Sequence, residues 1–298
     1  MRESSGVLAS IVISTTMEGQ REHSLKRAVD SIFESSNGAA RPLLVVNGPR
    51  VDERLFAYWS SREDVKVVRL PVGDYLKARA HGRRQVDTKY FGFVDDDDHF
   101  LPGALSARIA ALEADQELAC VISNGIVTLG DEQWHSIEAA PSSLEGALHL
   151  LAYSNWLPSA VAGLYRTALV GEHFFEHNDR HLEWTGLALR LCLAKAKLQF
   201  LMEPGFSIED TAGSLSKSHA YHAGLAGTLA RLIKLDIPQP VRNVWLTKYT
   251  RLLHELSTYH LQQGRRWPAF TAHLRSLCHP GGLSYLAYTR HLVLPIRR

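Results

Sequence analysis

The chain has 298 residues, 45% of them hydrophobic, and a formal net charge of +2. This length and apolar content suit one large globular domain, or one domain with an extension. A net charge so close to zero predicts no nucleic-acid partner, and no apolar run is long enough to span a bilayer.

The first part of the chain alternates strand and helix patterns. Strands are predicted at 7–13, 42–46, 65–70 and 90–94, where short apolar runs end in polar or turn-forming residues. Helices are predicted at 24–33, 55–61, 75–86 and 104–114, mostly from apolar residues at helical spacing. Strand and helix in this order predict a mostly parallel sheet with right-handed crossovers.

The pattern is mixed beyond residue 118 and becomes helical after residue 220. Strands are predicted at 119–123, 160–165 and 198–202, a hairpin at 127–133, a loop at 172–181, and helices at 144–152 and 183–196. Further helices are predicted at 225–235, 241–261, 270–277 and 283–292. We therefore predict an α/β domain over residues 1–220 and an all-helical C-terminal extension over residues 221–298.

Four consecutive aspartates, Asp95 to Asp98, follow the strand predicted at 90–94. Ligands of open α/β sheets bind at the carboxyl ends of the strands, and Mg²⁺ or Mn²⁺ prefer carboxylate oxygens and bridge to phosphates. On an extended segment Asp95 and Asp97 would point to the same side, so we predict that Asp97 and Asp95 bind Mn²⁺ or Mg²⁺. The alternative is a solvated acidic loop, which is the usual fate of a run of charges.

Phosphate binding by a glycine-rich loop is not indicated, because neither Gly-x-Gly-x-x-Gly after the first strand nor Gly-Lys-Ser/Thr is present. That task would fall to a metal and to basic side chains. Arg79 precedes the aspartates by one helix and one strand, which places it at the same sheet edge, and its planar guanidinium suits a phosphate. The alternative is that Arg79 belongs to a basic helix face with Lys77, Arg83 and Arg84.

The cysteines and the N-terminal segment bear on the cellular compartment. Cys120 and Cys192 lie in apolar runs and are predicted to be reduced core residues, and no spacing typical of zinc ligands is present. Arg21 and Glu22 follow the first apolar run too soon for a secretory signal. A reducing, cytoplasmic location is the simplest prediction.

Residues 288–298 combine apolar side chains with Arg290, Arg297 and Arg298. Such a segment can lie on an anionic membrane surface, which would make the protein peripheral at the inner face of a membrane. The alternatives are packing on the core or against another subunit, so an oligomer stays open.

Several segments together resemble family 2 glycosyltransferases, which have the GT-A fold, a Rossmann-like, mostly parallel sheet flanked by helices. Residues 9–16, Ala-Ser-Ile-Val-Ile-Ser-Thr-Thr, resemble the opening strand of that family. The most specific match is Ala-Arg-x-x-Gly at 78–82, followed by Tyr-x-x-Phe-x-Asp-x-Asp-Asp-x-x-x-Pro at 90–102. Residues 183–191 resemble the Glu-Asp-x-x-Leu-x-x-Arg helix. The resemblance covers about residues 7 to 220.

This resemblance implies transfer of a sugar, with inversion, from a nucleotide-diphosphosugar donor to a hydroxyl of a glycan or lipid-linked acceptor, in cell-surface polysaccharide synthesis. Glu183 is implied as the catalytic base; the alternative is a carboxylate that complements the helix dipole. The implied donor-binding residues are Thr15, Asn47, Arg79, Asp95 and Asp96. Trp156 and Trp184 are candidates for stacking on an acceptor sugar, although most tryptophans are simply packed.

Three positions differ from the family pattern. Asn47 stands where an aspartate is usual, Ala80 follows Arg79 in place of Asn, and Trp184 replaces the second carboxylate. A glycosyltransferase-like binding module without turnover is therefore an alternative. A metal-dependent phosphotransferase is a further one, because such enzymes also place Asp-x-Asp after a strand. A serine-rich segment at 213–216 matches a loop of the family, and His219 is a candidate for completing the metal site.

Overall fold

A computed structural model of the protein describes residues 6–209 and 219–293, without the side chains of residues 219, 220, 222 and 223. The described strands are β1 (Ala9–Thr15), β2 (Ala40–Asn47), β3 (Lys66–Leu70), β4 (Tyr90–Asp95), β5 (His99–Phe100), β6 (Leu118–Leu129), β7 (Glu132–His135), β8 (Gly163–Arg166) and β9 (Lys197–Glu209). The helices are α1 (Glu22–Ser36), α2 (Glu53–Ser60), α3 (Tyr75–Arg84), α4 (Ala104–Ala114), α5 (Leu144–Tyr153), α6 (Glu183–Leu193), α7 (His219–Leu232), α8 (Gln239–Gln262), α9 (Arg266–Leu277) and α10 (Thr289–Val293).

These strands form one sheet in the order β3-β2-β1-β4-β8-β6-β9-β5, with β7 paired to β6 outside this path. Strands β3, β2, β1 and β4 are all parallel. The other half is mixed, because β8 runs antiparallel to both β4 and β6, whereas β6 and β9 are parallel. The predicted α/β fold, a mostly parallel sheet flanked by helices, is confirmed.

The inner strands of the parallel half, β1, β2 and β4, are mostly buried on both faces, whereas the edge strand β3 is only partly buried. Ile11, Val12 and Ile13 of β1 have no exposed surface, which explains why this strand is a continuous apolar run rather than an alternating one. Helix α1 covers the sheet with Leu25, Ala28, Val29 and Ile32, whose spacing places them on one helical face.

Several elements differ from the sequence predictions. The two-residue strand β5 was not predicted, since two residues carry no periodic pattern. Strand β9 is much longer than predicted although it contains Pro204 and Gly205, which normally interrupt a strand. Irregular register between β6 and β9 around Asn124 and Pro204 absorbs the proline. The predicted strand at 160–165 begins as a 3₁₀ turn, Ala160–Ala162, before β8.

The helical extension predicted after residue 220 is present as α7 to α10. Helix α8 packs against α5 as well as α7 and α9. Its buried Trp245, Tyr249 and Leu253 belong to the same hydrophobic cluster as the sheet, so the packing is continuous past residue 220. The division into two domains stays a prediction. Within the described residues, none of the helices combines the length and hydrophobicity required to cross a membrane.

Candidate active site

The parallel strands bring three polar side chains to one edge of the sheet. Thr15 ends β1, Asn47 ends β2 and Asp95 ends β4. In the register of the sheet, Thr15 lies beside Val46 of β2, and Ser14 lies beside Asp95. Thr15 and Asn47 are also linked directly, because the Asn47 amide donates to the Thr15 carbonyl oxygen at 3.2 Å. The predicted convergence of these strand ends is therefore observed.

The four aspartates form a tight turn, not the extended segment on which the pairing of Asp95 with Asp97 was predicted. The Asp98 amide donates to the Asp95 carbonyl oxygen at 3.2 Å, which closes the turn. The Asp97 side chain lies at the tip and is 63% exposed. Asp98 is buried, whereas Asp95 is half-buried. The turn, rather than strand alternation, decides which carboxylates face one another.

Side chains from three elements hold this turn in place. The Asp96 carboxylate accepts from the Thr15 hydroxyl at 2.6 Å and pairs with Arg21. Arg27 of α1 donates to the Asp97 carbonyl oxygen at 2.9 Å. On the far side of the turn, β5 pairs with β9. Asp96 and Thr15 therefore have partners within the chain that fix the turn, which is a structural use of two residues predicted to bind the donor.

The carboxylates of the turn are electrostatically strained. Burial, together with the charges of Asp97 and Asp96, raises the pKa of Asp95 to about 7. Burial and the charges of Asp95 and Asp97 raise the pKa of Asp98 well above its ordinary range. Burial also raises the pKa of Asp96, although Thr15 and Arg21 oppose it. Negative charge is therefore concentrated at this edge beyond what the neighbouring cations neutralise.

The side chains of the turn fit a divalent cation that prefers oxygen ligands, because they are all carboxylates. A cation beside them would also lower their raised pKa values and so favour the ionised form. Across the described ranges, no group of three or more His, Cys, Asp or Glu side chains is arranged to hold a metal ion. A cation bound by Asp97 and Asp95 would therefore take its remaining ligands from water and phosphate, as Mg²⁺ commonly does. The metal site stays a prediction.

Tyr75, the first residue of α3, links the turn to the other candidate residues. Its hydroxyl donates to Asp95 Oδ1 at 3.1 Å. The pKa of Tyr75 is raised well above its ordinary value by burial, with the charges of Asp95 and Glu183 adding to the rise and Arg79 opposing it. The Arg79 guanidinium carbon lies 6.0 Å from the centre of the Tyr75 ring, so Tyr75 contacts the acidic turn directly and has the arginine nearby.

Arg79 is 1% exposed, yet two of its guanidinium nitrogens, Nε and Nη1, find no hydrogen-bond partner among the described residues. Its guanidinium carbon lies 4.7 Å from the centre of the Trp184 ring. The alternative of a shared basic helix face is not supported, because Lys77 is exposed, Arg83 donates to the Val170 carbonyl oxygen and Arg84 pairs with Glu176. Arg79 is instead a buried cation with donors to spare beside the acidic turn.

Glu183 begins α6, and its Oε1 accepts from the backbone N–H of His181 at 3.0 Å. With this bond Glu183 has a structural role at the start of α6, which is the kind of role set against that of a catalytic base. The bond uses only one of its two carboxylate oxygens. The preceding loop is fixed by the buried pair of Arg190 and Asp179, 2.5 Å apart. Helix α7 adds a second support, since Thr228 donates to the Arg180 carbonyl oxygen at 2.8 Å. The position of Glu183 is therefore well determined.

The structure does not support sugar stacking by the two tryptophans. Trp156 is 1% exposed, donates its indole N–H to the Ala147 carbonyl oxygen at 2.9 Å and packs edge-on against Phe200. Trp184 is 9% exposed, with its ring beside Phe93 and under the Arg79 guanidinium. A ring that is already covered has no face for a sugar, so the burial of both rings favours the alternative of packed side chains.

Sequence reasoning missed four residues of this site: Tyr75, Arg21, Arg27 and Asp98. Tyr75 lies 20 positions from its partner Asp95, and Arg21 lies 75 positions from Asp96. Asp98 was noted in the motif but not assigned a role. Tyr75 follows Asp74, whose side chain caps α3. This cap is the one local signal that could have placed Tyr75 at the sheet edge.

The serine-rich segment at 213–216 and the side chain of His219 lie outside the described residues.

Comparisons with known proteins agree with this fold. The model of glycosyl transferase family 2 matches residues 10–174, more than half of the chain. No curated protein matches the chain by sequence. Residues 1–349 of S. aureus TarS with UDP-GlcNAc match at a TM-score of 0.59 and 12% identity, covering 91% of this chain and 81% of that one. With UDP, the same protein matches at 0.55 and 13%, covering 95% and 92%. The chain therefore belongs to glycosyl transferase family 2.

Proposed function

We propose that the protein is an inverting glycosyltransferase that moves a sugar from a nucleotide diphosphate to a hydroxyl of a glycan or lipid-linked acceptor, in cell-surface polysaccharide synthesis. The observation that carries this proposal is a connected set of contacts. The Tyr75 hydroxyl donates to Asp95, and the Arg79 guanidinium lies 6.0 Å from the Tyr75 ring and 4.7 Å from the ring of Trp184, the residue after Glu183. The TarS structures hold UDP-GlcNAc and UDP, which supports a nucleotide-diphosphosugar as the donor. The family match favours glycosyl transfer over the phosphotransferase alternative.

The donor would lie across the carboxyl ends of β1, β2 and β4. Arg79 supplies unpaired N–H donors in a buried position, where a bond to a diphosphate oxygen is strongest. Thr15 and Asn47 border the same edge, and we place the nucleoside against them. Asp95 and Asp96 complete the proposed donor site, Asp96 by holding the turn through Arg21.

A divalent cation, Mn²⁺ or Mg²⁺, would be held by Asp97 and Asp95 and would supply charge neutralisation of the departing diphosphate. The exposure of Asp97 suits this role, because its carboxylate has only a loose partner, Arg21 Nη1 at 3.9 Å, and is accessible to an incoming donor. Asp95 is fixed by Tyr75 and so provides the rigid member of the pair.

In the proposed reaction, an acceptor hydroxyl attacks the anomeric carbon of the donor sugar from the face opposite the diphosphate. The bond between that carbon and the diphosphate oxygen breaks, and the sugar inverts. Glu183 takes the proton of the attacking hydroxyl through the carboxylate oxygen that His181 does not hold. The diphosphate leaves as the anion that Arg79 and the cation site are arranged to receive.

A cavity of about 600 Å³ offers a place for the acceptor. It lies between the exposed face of α3 and residues 175–180, the segment that leads to Glu183. Asp74, Lys77 and Arg180 are among its lining residues and present charged groups of both signs to a ligand. Hydroxyl-rich glycans suit such a mixed polar lining. Arg79, Asp95 and Glu183 do not line the cavity, so we assign to it only the part of an acceptor that lies away from the attacking hydroxyl.

A binding module without turnover is the second candidate, and one observation favours it. Trp184 occupies the position of the second carboxylate of the family's Glu-Asp pair, and its ring is buried under Arg79. Only Glu183 then offers a carboxylate at the start of α6, and one of its oxygens is already bonded to the backbone.

The test is a calorimetric screen of nucleotide sugars with and without Mn²⁺, followed by transfer assays with any donor that binds. Asp97→Ala is expected to abolish the metal-dependent part of donor binding. Glu183→Gln is expected to retain donor binding and to lose transfer, because the amide cannot accept the proton at neutral pH. Asn178→Ala, a change in the cavity wall away from the turn, serves as a control for the metal effect.

Each result separates the candidates. Full turnover in Glu183→Gln would reject the base assignment, and donor binding without transfer in the unmodified chain, across all acceptors tried, would favour the binding module. Donor binding that is the same with and without Mn²⁺ would remove the metal from the proposal while leaving glycosyl transfer intact.

A further inference from the structure

The last three elements of the described chain expose large apolar side chains. Trp267 of α9 is 73% exposed and Leu274, on the same helix, is 44% exposed. Leu283 and Leu286 of the 3₁₀ helix Gly282–Tyr288 are 76% and 55% exposed, and Val293 of α10 is 64% exposed. Isolated exposed apolar residues are ordinary, but five of them in one short stretch indicate a surface that binds something.

Helix α9 shows that this exposure is organised. Its buried residues are Ala269, Ala272, His273 and Ser276, which pack toward the rest of the chain. Trp267 and Leu274 are seven residues apart, so they lie on one stripe of the helix, away from that packed face. The outer side of α9 therefore carries two large apolar side chains together with the exposed Arg266 and Arg275, whereas its inner side is lined by small or polar residues.

The three elements form one packed unit, so their exposed residues act together. Arg266 donates to the Leu292 carbonyl oxygen at 2.9 Å, which links the start of α9 to the end of α10. His273 and Thr289 are 2.8 Å apart across the same two helices. Tyr285 stacks on His254 of α8 at 3.9 Å, which fixes the 3₁₀ helix that carries Leu283 and Leu286.

The charge of this region is of one sign. No aspartate or glutamate follows Glu255 in the sequence, whereas six arginines do: Arg265, Arg266, Arg275, Arg290, Arg297 and Arg298. The whole chain has a net charge of only +2, so this segment is far more basic than the rest. Arg265 and Arg290 are exposed beside Trp267 and His291 in sequence.

We propose that this unit, the basic apolar face formed by Trp267, Leu274, Leu283, Leu286 and Val293 with Arg265 and Arg290, docks on an anionic phospholipid bilayer. Apolar side chains that enter the acyl boundary and arginines that meet lipid headgroups are the two components of interfacial binding. The cytoplasmic leaflet carries such anionic lipids. A second copy of this chain is a poorer occupant, because two faces with arginines and without carboxylates would repel each other.

The inference does not depend on the proposed reaction, since the residues involved are separate from the acidic turn. It does give the proposed acceptor a location, because a face that docks on a bilayer would hold the enzyme beside lipid-linked molecules.

The test is flotation of the full chain with unilamellar vesicles, either of phosphatidylcholine alone or of phosphatidylcholine mixed with phosphatidylglycerol. We expect binding to the anionic vesicles and little to the neutral ones. Trp267→Ser combined with Leu283→Ser should lower the partition coefficient by more than about tenfold, given the apolar area removed. Arg265→Glu combined with Arg290→Glu should lower it to a similar degree. Trp134→Ser, at an exposed tryptophan on β7, should leave it unchanged.

No binding to anionic vesicles, or equal binding by the parent and both double variants, would overturn the proposal. Self-association that disappears in Trp267→Ser with Leu283→Ser, without vesicle binding by the parent, would overturn it in favour of a second copy. The Asp97→Ala variant should float like the parent, so a failure of the proposed enzymatic function and a failure of the docking surface give different results.

Discussion

Burial and mutual repulsion disfavour the ionised form of the carboxylates in the acidic turn, and Asp95 shows this clearly. Its pKa is about 7 in the folded chain, against an ordinary value of 3.8. Between these values the folded state binds more protons than the unfolded state, so the contribution of Asp95 to the free energy of unfolding falls as the pH rises. Asp98, whose pKa is also raised, acts in the same direction.

A cation that binds the ionised carboxylates reverses this loss. We therefore expect Mn²⁺ or Mg²⁺ to raise the melting temperature more at about pH 8 than at about pH 6, since protons compete for Asp95 below its pKa. Thermal unfolding at both pH values, with and without the cation, measures the effect. Asp95→Asn should reduce the pH dependence, and an equal cation effect at both pH values in the parent would contradict the argument.

Arg79 and Arg83 allow a paired prediction, because both are buried on α3 but only Arg83 has its donors satisfied. Arg79→Met removes a buried cation with two unpartnered nitrogens, so we expect the free energy of unfolding to change by less than about 1 kcal/mol while donor affinity falls sharply. Arg83→Met leaves the carbonyl oxygens of Val170 and Thr167 without their donor, at a cost of about 1–3 kcal/mol, with donor affinity kept.

Denaturant unfolding and calorimetric donor titration measure the two quantities separately. A loss of stability in Arg79→Met as large as that in Arg83→Met would show that Arg79 is a structural residue rather than a ligand for the donor.

For single residues, the sequence predicted those that belong to a local motif. It missed those that only the folded chain brings into contact. Asp95 and Arg79 follow from position alone, because a strand end and the preceding helix meet at one sheet edge. The packing of Trp156 against Phe200 and the pairing of Asp96 with Arg21 join residues that are far apart in sequence. No pattern within a short window contains that information.

Among the elements, α3 carries both Tyr75 and Arg79, and it packs closely on the sheet. Gly82 lies where a Cβ would be 2.4 Å from Val12 Cγ1 and 3.1 Å from Val45 Cγ2. Gly82→Ala should therefore push α3 off β1 and β2 and lower the free energy of unfolding by about 1–3 kcal/mol. Denaturant unfolding tests this, and donor affinity should fall with it as Arg79 moves.

Gly227→Ala is the matched control, because Gly227 is exposed within α7. Among the described residues, the atom nearest to the added carbon is Arg231 Nη1, at 4.0 Å. Alanine favours a helix over glycine, so this variant should be neutral or more stable by up to about 1 kcal/mol. Equal stability of the two variants would show that α3 has room to accommodate the added methyl group.

Element types were predicted well where a run is long and regular, as in α4, whose bounds at 104 and 114 were predicted without error. They were predicted less well where tertiary pairing overrides local preference. Strand β9 continues through Pro204 because β6 supplies a partner with an irregular register, and β5 exists because β9 offers an edge. Neither cause is visible in the segment itself.

For the whole molecule, the open question is whether residues 1–220 and 221–298 unfold as two units. The buried cluster runs from the sheet through Trp245, Tyr249 and Leu253 of α8. Helix α7 also bonds to the loop before Glu183, through Thr228 and the Arg180 carbonyl oxygen. Packing of this kind couples the helical extension to the site, so we expect one cooperative unfolding transition rather than two.

Trp245→Ala tests this coupling, because Trp245 is 2% exposed and its removal should cost about 3–5 kcal/mol. If the chain is one cooperative unit, the loss will appear equally in the hydrogen exchange of β1 amides and of α8 amides, although β1 does not belong to the extension. Trp134→Ala, at an exposed ring, should change neither. Faster exchange in α8 with β1 still fully protected would instead establish the boundary at residue 220 as a true division between independently stable domains.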